Sequence, residues 1–154
     1  VSRFGGVGGL RTWRIEDERE EFENRTGKLV EQYNEFEPLE GVFVNGEFTL
    51  GENIGDLGGI SIALRAYQMS LNGAASPELD GFTGEQRVFL GFGQVWAGKY
   101  RDEALKSQIN TDPHSPAQFR ANGSVRNVPE FYTAFDVMPT DALYLPDEER
   151  VKIW

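Results

Sequence analysis

The chain has 154 residues, 39% apolar and 12% aromatic, the size and composition of one ordinary globular domain that hides roughly 70% of its unfolded surface. Twenty-five acidic against 15 basic residues give a formal charge of -10, and no two basic residues adjoin, which argues against nucleic acid or an anionic membrane as partner. With no cysteine and one histidine, His114, disulfides, thiolate chemistry and a zinc site built mainly from the chain's own imidazoles are excluded.

No apolar run approaches the roughly 20 residues that span a bilayer, so a soluble chain is expected. It starts at Val1 without an initiator methionine, a charged n-region or an apolar h-region, and a preceding segment is expected upstream. Residues 1–13 carry four glycines and read as an irregular lead-in that lies against something else. Apolar Ile15, Phe22, Leu29, Val30 and Tyr33 among many acids predict an amphipathic helix with a dipole-matched acidic start and a solvated acidic face. Asn45-Gly46 between two β-prone runs predicts a small hairpin near residues 42–50.

Residues 52–71 are apolar at Ile54, Leu57, Ile60, Leu64, Tyr67 and Leu71, the repeat of a long, mostly buried helix. Gly55, Gly58 and Gly59 in its first turns each cost up to about 1 kcal/mol of helix propensity, a cost accepted for close backbone approach. Thr83 to Gln86 forms a capping box before Val88–Trp96, expected as a central core helix over 83–98. A short helix is expected near Asp102–Gln108. Ser115, Pro116, Gln118 and Gly123 then mark a helix with cap, first-position proline and terminating glycine. Another helix begins at Asn127-Val-Pro-Glu130, and the tail ends on Trp154, a large indole expected to pack. A mainly α fold with that one hairpin follows.

Glu52 and Asp56 stand one turn apart and project from one helix face. Like charges there repel unless a cation or histidine lies between them. Helix-start acids, a metal ligand with its hydrogen-bonded partner, and a general acid/base pair all fit this spacing. His114, mounted between Pro113 and Pro116, suits either a hydrogen-bonded structural role or a donor aimed at a developing oxyanion. Arg120, further along, is suited to gripping a substrate carbonyl or carboxylate.

Leu50-Gly-Glu-Asn-Ile-Gly-Asp-Leu-Gly-Gly59 resembles the LGENIxDxGG segment of the neprilysin and endothelin-converting-enzyme family of zinc metallopeptidases, which includes bacterial oligopeptidases. Arg65-Ala-Tyr67, Gln94-Val-Trp96, Thr111-Asp-Pro-His-Ser-Pro116 with Phe119-Arg120, and a chain end at Trp154 resemble the same family in the same order. Phe4, Gly8, Leu10 and Trp13 are similar to a segment that follows its HExxHGFDD motif. The resemblance implies the C-terminal portion of the catalytic domain over residues 1–154, the helical lobe of a thermolysin-like, gluzincin fold. It further implies Glu52 as third zinc ligand, Asp56 as the acid orienting a zinc histidine, His114 as the group stabilising the tetrahedral intermediate and Arg120 as the substrate-backbone ligand.

No HExxH occurs in the chain, so two zinc ligands and the general base are absent from it. The expectation is part of a zinc metalloendopeptidase acting on short peptides, holding no tight zinc and inactive without an HExxH-bearing N-terminal half. An exposed lobe face would then favour self-association. The alternative is a standalone non-catalytic relative serving as a binding or structural module. The absence of cysteine is unlike the family's disulfide-bearing animal ectodomains and favours a bacterial type, whose compartment the sequence leaves open.

Overall fold

A computed structural model describes Gly9 and residues 16–153. The remainder of the lead-in and Trp154, with the packing expected of them, lie outside the described residues. The described residues form six α-helices; they contain no strand, only two isolated bridges, Leu39 to Val42 and Leu79 to Phe82. None of the helices is long and apolar enough to cross a membrane.

The first helix, α1 (Glu16–Asn34), opens on Glu16, Asp17 and Glu18, where carboxylates offset the dipole's positive end, and buries Thr26, Leu29, Gln32 and Tyr33. The second, α2, runs Gly46–Ser70 and replaces the expected hairpin. Asn45 caps it, its side chain accepting from the Phe48 N–H at 2.9 Å. Gly46 donates its N–H to Asn34 Oδ1 at 2.7 Å, and a Cβ there would come within 2.2 Å of the Val30 carbonyl oxygen. The glycine is thus needed for contact with α1, not for a hairpin turn.

One side of α2 places Ile54, Leu57, Ile60 and Leu64 in the core with Leu29 and Tyr33 of α1. The other side is open: Ile62 and Met69 are exposed, and a Cβ added at Gly55 or Gly59 would meet nothing within 4 Å among the described residues. The mostly buried helix expected from sequence is therefore half-buried, and these two glycines make no close approach within the described structure.

Helix α3 (Gly84–Val95) carries the expected capping box, but only Gly84 and Phe89 are fully buried, and Val95 is 71% exposed. The centre of the core is α2, packed between α1 and α5 with α3 alongside. Helix α4 spans Asp102–Thr111. Helix α5 (Ala117–Val125) starts one residue after the expected first-position proline, because Pro116 occupies the cap position and Ser115 caps nothing. Gly123 does not end it: a Cβ there would meet Tyr33 Oη at 2.6 Å, so the glycine makes room for the α1 tyrosine.

Helix α6 (Pro129–Phe135) begins with the expected proline. Asn127, just before it, accepts from Gln32 Nε2 at 3.0 Å and the Val151 N–H at 2.7 Å, and donates to Gln32 Oε1 at 2.8 Å and the Gly123 carbonyl at 2.9 Å. Those four bonds fasten the C-terminal segment to α1 and α5, because a buried amide left unpaired costs about 1–3 kcal/mol.

Candidate functional site

The four residues singled out by sequence converge. Glu52 and Asp56 lie in the second and third turns of α2, His114 in the 112–116 loop between α4 and α5, and Arg120 in α5. The Arg120 guanidinium meets Asp56 in a forked pair, Nε to Oδ2 at 2.6 Å and Nη2 to Oδ1 at 2.8 Å, and Nη2 also reaches Glu52 Oε2 at 3.3 Å. His114 Nε2 lies 3.1 Å from the same Glu52 oxygen. Two acids one turn apart are tolerated because a guanidinium and an imidazole stand against them.

Environment separates the two acids. The Asp56 side chain is 9% exposed and that of Glu52 43%. Burial pushes the Asp56 carboxyl above its ordinary range, against the opposing pull of the Arg120 hydrogen bonds and charge. Burial acts to lower the Arg120 pKa, but the Asp56 hydrogen bond and the two carboxylate charges outweigh it and keep the guanidinium firmly charged. Its face lies over the Trp96 ring, 4.1 Å from the centroid, a geometry that suits a planar cation. Arg120 Nη1 and Glu52 Oε1 make no hydrogen bond to another described residue.

Sequence reasoning missed Asp112. Its Oδ1 accepts from the His114 backbone N–H at 3.0 Å and lies 2.5 Å from His114 Nδ1. The His114 side-chain hydrogen bond, then its backbone one, holds the Asp112 carboxyl below the usual carboxylate range. Both imidazole nitrogens thus face carboxylate oxygens. The signal lay in the Asp-Pro-His spacing, which folds one side chain back on the next but one. Trp96 was equally without a role in the sequence, since its partner is brought from α5. Ser115, expected as a helix cap, instead donates to Asn53 Oδ1 at 2.8 Å.

The sequence profile of peptidase family M13 matches residues 2–151. The chain belongs to peptidase family M13. This M13 chain is 41% identical to endothelin-converting enzyme 1 of Homo sapiens over 151 residues, covering 96% of the chain and 19% of that protein. It is 39% identical to neprilysin of Oryctolagus cuniculus over 157 residues, covering 98% and 20%. It therefore spans about a fifth of the length of these relatives.

Among solved structures, the Mycobacterium tuberculosis zinc metalloprotease Zmp1 in complex with inhibitor superposes at a TM-score of 0.96 with 51% identity, covering 99% of this chain and 24% of that one. PepO of Lactobacillus rhamnosis superposes at 0.79 with 31% identity, covering 96% and 22%. The M13 chain thus has the mainly helical fold of these peptidase structures and a family relationship to zinc metallopeptidases. The half-exposed Glu52 carboxylate is a donor of a kind that zinc accepts. Among the described residues no three His, Cys, Asp or Glu side chains are grouped to hold a metal ion.

Proposed function

We propose that this M13 chain is a portion of a zinc metalloendopeptidase catalytic domain that acts on short peptides, and that it contributes one zinc ligand and the groups that hold the substrate. The observation that carries the reading is the convergence of Glu52, Asp56, His114 and Arg120 from three separate segments. Zinc, when bound, supplies Lewis acidity toward a peptide carbonyl. Glu52 would hold it, together with two histidines that these 154 residues, with their single His114, do not contain.

The chain's own side chains have separable tasks. Asp56 fixes the Arg120 guanidinium through two hydrogen bonds and Trp96 supports its face, which leaves Nη1 as the donor for a peptide carbonyl. Asp112 binds His114 Nδ1 and so presents the Nε2 side of the ring. An Nε2–H donor there is placed to stabilise negative charge developing on a carbonyl oxygen, as preorganised donors do in low-dielectric clefts. Asp56 would in addition orient a zinc histidine by hydrogen bonding.

The test begins with the coding sequence upstream of the Val1 codon, where an in-frame HExxH is expected. The protein so encoded should hold zinc and cleave peptides, and Glu52→Gln should abolish both while the 154-residue chain by itself does neither. Micromolar or tighter zinc with peptidase activity from the 154 residues alone would overturn the partition of the site. A start codon with no HExxH upstream would overturn the peptidase reading and favour a non-catalytic binding module.

A further inference from the structure

The site joins parts of the chain that are distant in sequence, the opening turns of α2 and the 112–116 loop. No backbone hydrogen bond between these two segments occurs among the described residues, so side chains alone set their separation. One of the links, Asp56 with Arg120, ties α2 to α5 and bypasses the loop.

A second link reaches the loop itself. Ser115, adjacent to His114, is 0% exposed, and Asn53, adjacent to Glu52, is 1% exposed. Ser115 Oγ donates to Asn53 Oδ1 at 2.8 Å across 62 positions of sequence. Asn53 Nδ2 donates to Thr49 Oγ1 at 3.0 Å, and Thr49 Oγ1 donates to the Asn45 carbonyl at 2.9 Å. A chain of hydrogen bonds therefore runs from the neighbour of His114 to the neighbour of Glu52 and on to the N-cap of α2.

Stability alone does not require polar groups there, because an apolar pair of the same shape is often neutral or more stable than a buried hydrogen-bonded one. A hydrogen bond adds direction: it fixes distance and angle, whereas apolar surfaces slide. Ser115 is also withdrawn from the capping role that its position before Pro116 and α5 would allow.

We propose that Asn53 and Ser115 are positioning residues that set the separation of His114 from Glu52. The proposal rests on the reading of those two side chains as site residues, but not on zinc. Because His114 is the only histidine, its ring protons report the contact directly by NMR in the 154-residue chain, at one fixed pH, with neither metal nor substrate. Glu52→Ala, which removes the acceptor altogether, should displace the His114 Hε1 resonance, giving the full effect of losing the contact. Ser115→Ala, which deletes a single oxygen, should displace it in the same direction by at least half as much. Asn53→Ala should match it, and the double variant should add nothing to the larger single effect.

Val128→Ala is the control, a fully buried core position outside the cluster that loosens the fold without touching the link. It should leave the resonance in place. A resonance displaced by Glu52→Ala but not by Ser115→Ala, or displaced as far by Val128→Ala, overturns the proposal. Should Asn53→Ala fail to fold, Ser115→Ala decides alone. Zinc binding and peptide cleavage do not enter the measurement, so this proposal and the peptidase reading fail separately.

Discussion

Replacing Arg120 by methionine keeps most of the side chain's volume and removes the charge that stands between two carboxylates. Arg120 and Asp56 are 13% and 9% exposed, so their forked pair is a buried one. Removing one partner of such a pair costs about 3–5 kcal/mol, because the other is left charged and unpaired. The contact to the half-exposed Glu52 adds little, and loss of the stacking on Trp96 adds about 0.5–2 kcal/mol. The expected loss is about 4 kcal/mol at neutral pH, read from urea unfolding, with a melting temperature lower by roughly 10 °C for a chain of this size. The loss should also depend on pH. Burial already raises the Asp56 pKa in the folded chain, and Arg120 opposes the rise. Without Arg120 the folded value climbs further above the unfolded one. A group raised in this way is best tolerated below its unfolded value of 3.8 and loses stability as pH rises through the folded value. The deficit of Arg120→Met should therefore be small near pH 3 and grow toward neutrality, and Asp56→Asn in the same chain should recover part of it. A deficit below about 1 kcal/mol at pH 7, or one equal at both pH values, would refute the buried-pair argument.

Two glycines should respond oppositely to alanine. Gly123→Ala forces a methyl against the Tyr33 ring and should cost about 1–3 kcal/mol, whereas Gly59→Ala enters open space on α2 and should stabilise the 154-residue chain by up to about 1 kcal/mol; thermal melts followed by circular dichroism compare them, and equal signs would contradict the packing described. Tyr33, fully buried, has its phenol pushed above the ordinary value of 10.0 by burial. The neutral ring's contribution is complete below pH 10 and is lost as pH rises through the folded value, so its phenolate absorbance should appear together with alkaline unfolding and vanish from the titration in Tyr33→Phe. Ionisation of Tyr33 in a chain still folded by circular dichroism would contradict its burial.

The helices that sequence marks best are those whose signals are purely local. Thr83 and Gln86 exchange hydrogen bonds with each other's backbone, and the bond from Gln86 Nε2 to the Ala134 carbonyl leaves that exchange intact. Asn45-Gly46 has the local pattern of a hairpin turn because an asparagine side chain accepts from a nearby backbone N–H in turns and helix caps alike. The choice between them lies with Asn34 and Val30 of α1, which no window around residue 45 contains. Ser115 shows the same limit: its local pattern is a cap, and its partner is Asn53. At the site, spacing puts Glu52 and Asp56 on one face, the flanking prolines and side-chain chemistry single out His114 and Arg120, and the family resemblance implies the role of each. The guanidinium between the acids is a tertiary fact, visible only once α5 is in place, whereas the carboxylate of Asp112 behind the imidazole is a local contact between residues two apart.

The charge balance of the cluster bears on the order in which such an enzyme is assembled. Glu52, Asp56 and Asp112 already face Arg120 and His114, so each acid has a hydrogen-bonding partner within the lobe. Sites made only of mutually repelling carboxylates or thiolates stay open until an ion arrives, and folding then waits on metal supply. Here the acids have partners with no ion present, and on the proposed peptidase reading metal uptake would be an exchange of partners for Glu52. A strong chelator should accordingly leave the unfolding of the 154-residue chain unchanged, which makes folding and metal loading separable steps.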